Sequence, residues 1–100
     1  MAKLLSKKEL CILTIMDDAR GGLYALEIAR KSEGVIGRGT VYVTLARLEQ
    51  QRLVESQQAE KPSGHLAVHP HRFYSLTPKG RRVLRANESA IAMLEKANRD

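Results

Sequence analysis

A chain of 100 residues has room for one domain, and with 43% hydrophobic and 28% charged residues it is neither a disordered nor a membrane-embedded composition. Cys11 is the only cysteine, which excludes an intramolecular disulfide and a four-thiolate metal site and leaves a buried, inert thiol as the plain expectation. A formal net charge of +6 favours a polyanionic partner, either nucleic acid or an anionic membrane surface, without choosing between them.

The N-terminal lysines Lys3, Lys7 and Lys8 are followed by an apolar run that ends in Asp17 and Asp18, where a secretory leader would have a small-residue cleavage site. The longest nearly apolar run, Leu10 to Met16, is far shorter than the roughly 20 residues that span a bilayer. A cytoplasmic protein with no membrane partner is expected. Ser6-Lys7-Lys8-Glu9 has the spacing of a capping box and predicts a first helix over 7–18. Its residues Leu10, Cys11, Ile12, Leu13, Ile15 and Met16 are apolar almost all round, as in a helix covered on several sides.

Gly21 and Gly22 break the chain, and a second helix is predicted over 23–32, with Ala25, Ile28 and Ala29 on one face and Gly34 as the stop. A third helix follows over 38–51. Val41, Leu45 and Leu48 form its apolar stripe, and the opposite face holds Gly39, Thr40, Val43, Arg47 and Gln50. The β-compatible runs 53–57 and 72–76, separated by a polar stretch with Pro62, Gly64 and Pro70, predict a hairpin with a long tip. Thr77-Pro78 opens the last helix, where the hydroxyl caps and proline takes the first position. Val83, Leu84, Ala90, Ile91, Leu94 and Ala97 make its apolar stripe.

This order predicts a mainly α fold with a small β component, a winged helix-turn-helix of three helices, a two-stranded wing and a long C-terminal helix. The division expected is a DNA-binding domain over 1–77 and a dimerisation helix over 78–100. An α-helix fits the DNA major groove, so the third helix is the expected reader. Its candidate contacts are Thr40, Val43, Thr44 and Arg47, with Val43 suited to a thymine methyl and Arg47 to guanine or phosphate. Tyr42 lies between the two faces, placed either to pack or to offer its hydroxyl to a phosphate. The same outer residues are also compatible with a solvated helix face. On the hairpin tip, Lys61, His65, His69, His71 and Arg72 suit phosphates or the minor groove; the alternative is a plain surface loop. The three histidines are also compatible with a metal site, but no thiol stands near them in sequence and no such site is expected.

Four pieces together carry a family likeness: Gly22-Leu23-Tyr24-Ala25-Leu26-Glu27-Ile28, Gly39-Thr40-Val41-Tyr42-Val43-Thr44-Leu45-Ala46-Arg47-Leu48-Glu49, Leu53-Val54-Glu55-Ser56, and Arg72-Phe73-Tyr74-Ser75-Leu76-Thr77-Pro78-Lys79-Gly80. In these, over residues 10–84, the chain resembles the PadR-like family of winged-helix regulators, in a short form with one C-terminal helix. The resemblance implies DNA contact through helix three and the wing, and a homodimer built on the last helix. It also implies, for many members, repression relieved by a small-molecule effector or by stress. A serine-proline pair often precedes the glycine of helix three in that family, whereas this chain has Gly37-Arg38 and so departs from the pattern at the helix cap and the first DNA contacts; Arg38 and Gly39 are counted among the candidate contacts.

The expected function is therefore sequence-specific transcriptional regulation, as a homodimeric repressor on a palindromic operator, with double-stranded DNA as partner and no cofactor. The alternative is a winged-helix protein-interaction module with no preference among duplexes. An enzyme is not expected, because the chain has no glycine-rich phosphate loop, nucleophile elbow or carboxylate–histidine pattern.

Overall fold

In the computed structural model, which describes residues 4–58 and 72–99, the elements run α1 (Lys7–Ala19), β1 (Leu23–Tyr24), α2 (Ala25–Lys31), α3 (Arg38–Gln50), β2 (Val54–Gln58), β3 (Arg72–Leu76) and α4 (Pro78–Ala97). The expected winged helix-turn-helix is present. The capping box of α1 closes in both directions, Ser6 Oγ accepting from the Glu9 amide at 3.2 Å and Glu9 Oε1 from the Ser6 amide at 2.8 Å. Ile12, Leu13 and Met16 of this helix are buried at the centre of the core. Cys11 is only partly buried, and this burial pushes its thiol up from its ordinary value.

The second helix starts later than its periodicity implies. Glu27 Oε1 accepts from the Tyr24 amide at 2.9 Å and sets the helix start at Ala25. Leu23 and Tyr24 are thereby left extended as a short strand, so the sheet has three strands in the order β1-β3-β2 where a two-stranded wing was expected. Leu23 lies opposite Tyr74, and Tyr24 opposite Phe73, on which its ring stacks at 4.2 Å. Ser32 ends α2 and builds the turn into α3. Its Oγ donates to the Ala29 carbonyl at 2.6 Å and accepts from the Ile36 amide at 3.0 Å, while Gly34 takes φ +92 in the left-handed region.

At the end of α3 the Leu53 amide bonds back to the Leu48 carbonyl and the Arg52 amide to the Glu49 carbonyl, the paired bonds of a Schellman turn. Arg52 holds the left-handed position of that turn, φ +63, where glycine is usual. The turn in turn anchors α4: Thr77 Oγ1 accepts from the Gly80 amide at 2.9 Å and donates to the Arg52 carbonyl at 2.7 Å. A Cβ on Gly80 would fall on the Leu53 carbonyl oxygen and within 2.9 Å of its carbon, so only glycine lets the helix lie this close. Asp17 ties α1 to α4 through Arg85 at 2.7 Å and Arg81 at 3.2 Å. Among the described residues no helix is long and apolar enough to cross a membrane.

Candidate nucleic-acid interface

Helix α3 has two unlike faces. Val41, Leu45 and Leu48 are fully buried and lock it onto the core. On the other side Val43 is 59% and Tyr42 47% exposed, with Arg38, Gly39 and Arg47 also open to solvent and Thr40 partly so. Its start carries no side-chain cap: Gly37 is extended at φ −80, ψ 166 and leaves the first amides of the helix to outside acceptors. That start is also the positive end of the helix dipole, which favours an anion such as a phosphate.

Thr44 corrects the expectation made for it. It is buried, and its hydroxyl donates to the Thr40 carbonyl at 2.9 Å, so it belongs to the inner side of the helix instead of the outer one. The spacing carries the reason, because position 44 is one turn from both Val41 and Leu48.

The sheet changes character outward from the core. On the face that carries Tyr74, the cross-strand pairs run Val54–Leu76, Ser56–Tyr74 and Gln58–Arg72, from apolar to polar to basic. Burial, and then the Glu49 charge, pushes the Tyr74 phenol up from its ordinary value. Arg72, exposed on this face, donates from Nη1 to Ser56 Oγ at 3.0 Å, and Ser56 Oγ donates to Glu49 Oε2 at 2.6 Å. No local pattern signals this pairing of Glu49 with Ser56, which are seven residues apart on different elements. Lys61, His65, His69 and His71 lie outside the described residues. Among the described residues no group of three or more His, Cys, Asp and Glu side chains is placed to hold a metal ion.

The stripe of α4 is divided. Leu84 is fully buried in the core of its own chain and so is corrected from interface to core residue, with Val83 packed partly against it. Ala90 is half-buried, whereas Ile91, Leu94 and Ala97 are exposed, Leu94 at 63%. Met93, which was not counted in the stripe, is 71% exposed beside them.

Residues 12–86 match the family described as the transcriptional regulator PadR-like family. Among solved structures, the fold is similar to a PadR-like transcription factor from Bacteroides fragilis, with TM-score 0.77 and 27% identity over 90% of this chain and 84% of that one. A PadR family regulator from Clostridium difficile R20291 is similar with TM-score 0.76 and 24% identity, over 92% of this chain and 94% of that one. The PcaV transcriptional regulator from Streptomyces coelicolor, in complex with its natural ligand, shares the fold with TM-score 0.76 and 18% identity, over 95% of this chain and 61% of that one. Among curated proteins, none matches the chain.

Proposed function

Because the chain belongs to the PadR-like family of transcriptional regulators, we propose that it binds duplex DNA as a homodimer, with the outer face of α3 in the major groove and the wing along the phosphates. The observation that carries this is the outer face of α3 itself. A β-branched apolar residue, Val43, stands 59% exposed within a turn of Arg47 and Tyr42, on a helix whose other side is locked to the core. Valine is a poor choice for a solvated helix position and a good one against a thymine methyl. Arg47 can meet guanine bidentately, Tyr42 and Thr40 can reach the flanking phosphates, and Arg38 and Gly39 sit where the uncapped amides of the helix face outward.

The exposed part of the α4 stripe, Ile91, Leu94 and Ala97 with Ala90 at its edge, supports pairing with a second copy through the C-terminal half of the helix. Residues 78–100 then act as the dimerisation helix although their first half is core. A two-fold dimer presents two copies of α3, which calls for a palindromic operator. We propose repression by occupancy of that operator in the cytoplasm. A small-molecule effector is part of the proposal, on the precedent of the Streptomyces coelicolor regulator held with its natural ligand.

Selection of bound fragments from a random duplex pool tests this. Enrichment of a two-fold symmetric sequence with half-sites one helical turn apart is the expected result; a pool that stays random through successive rounds would remove sequence-specific binding and leave a protein-interaction module.

A further inference from the structure

We propose that Glu49 and Ser56 are positioning residues, forming a hydrogen-bonded relay that runs from the end of α3 to the base of the wing and holds the Arg72 guanidinium in a set place beside the recognition helix. The proposal rests on the DNA-binding function above and adds to it a link between the two DNA-facing elements.

The geometry is specific. Ser56 stands opposite Tyr74 in the β2–β3 ladder, so Arg72, two residues before Tyr74, is its diagonal neighbour on the same face. Ser56 uses both capacities of its hydroxyl at once, donating to Glu49 Oε2 at 2.6 Å and accepting from Arg72 Nη1 at 3.0 Å. The ionised ends polarise the hydroxyl between them, so each bond strengthens the other. Because the guanidinium is a rigid planar fork, fixing Nη1 fixes the direction of its other N–H groups as well.

The position of Glu49 is otherwise unfavourable for a negative charge. A carboxylate in the last turn of a helix opposes the helix dipole, and on a face meant for phosphates it is repelled by them. Both effects argue that the charge has a local use, and the Ser56 hydroxyl is that use. The benefit lies in entropy. An exposed arginine samples many rotamers and has to be ordered before it grips a phosphate, whereas Arg72 is ordered beforehand through Ser56 against the last turn of α3.

The test uses the full chain with a mixed-sequence DNA duplex as probe, and in parallel the nitrogen relaxation of the Arg72 Nε–H without DNA. In the unmodified protein the Arg72 side chain is ordered. Ser56→Ala should release it, weaken the duplex about three- to tenfold and flatten the logarithmic salt slope by up to about one unit, the loss of one phosphate contact. Ser56→Ala should add nothing to an Arg72→Ala variant, since both remove the same contact. Glu49→Gln, which keeps an acceptor oxygen, should keep Arg72 ordered; Glu49→Ala should not. An Arg72 that stays ordered in Ser56→Ala, or losses that simply add, overturns the relay. If the unmodified protein binds no duplex, the DNA interface falls instead, and the relaxation series still decides whether the relay exists.

Discussion

In the first half of α4, Gly80, Leu84 and Asn87 are buried against the rest of the chain, whereas in the second half Ile91, Met93 and Leu94 stand 38%, 71% and 63% exposed. One apolar periodicity runs through both halves. The first is covered by α1 and by the turn after α3, and Asn87 completes the cover by accepting from the Leu5 amide at 2.9 Å and donating to the Val83 carbonyl at 2.8 Å. The second has no such cover among the described residues. Periodicity thus tells that a face is apolar, but the packing of neighbouring elements decides whether the same chain buries it.

The contrast can be broken most severely at Gly80. Alanine there meets the Leu53 carbonyl, a backbone atom already held by Thr77, and should cost more than about 4 kcal/mol, leaving a chain that melts non-cooperatively or not at all in calorimetry. Leu84→Ala empties a fully buried site and should cost about 3 kcal/mol in denaturant titration. If Leu84→Ala left stability intact but dissociated a dimer, the division of α4 would be misplaced.

The second half should answer in a different observable. Ile91→Asp with Leu94→Asp is expected to halve the sedimenting mass and leave the helical signal almost unchanged, because these side chains lie outside the core. An unchanged mass would remove this stripe from the proposed pairing.

The smallest effect concerns Asp17, which fastens α1 to the first half of α4. The Arg85 guanidinium above all, with Arg81, holds its carboxyl below the ordinary value. A depressed folded pKa contributes stability that is present above the unfolded pKa, about 3.9, and is lost as pH falls through the lower folded value. Asp17→Asn should therefore be slightly less stable than the unmodified protein near neutral pH, with the gap closing below about pH 4. Denaturant melts at the two pH values check this, and a gap that widens in acid would assign the contact no role.

Much of the fold was legible where a local rule acts alone. Ser6 with Glu9 and Thr77 with Pro78 are cap chemistry within a few residues, and both stand as expected. The β1 strand was hidden because two residues give no alternation to detect, and its partner Tyr74 lies far along the chain. The Arg52 turn was hidden for another reason, since an arginine in a left-handed conformation removes the glycine that marks a helix end. On the candidate interface, Val43 and Arg47 follow from the stripe Val41, Leu45 and Leu48 by opposition. Thr44 follows the same spacing inward, although its polar side chain suits an outer face equally well. The Glu49–Ser56–Arg72 relay joins three elements and depends on strand register, which no local pattern carries.

The outer face of α3 as the reader of sequence is the central claim, and Arg47 tests it most directly. The measurement is the affinity of the unmodified protein and of Arg47→Ala for a selected operator and for a random duplex of equal length at one salt concentration. Discrimination between the two duplexes should fall by about 1 to 3 kcal/mol in the variant, while affinity for the random duplex changes much less. An equal loss on both duplexes would make Arg47 a phosphate contact and contradict the assignment of this face to base recognition.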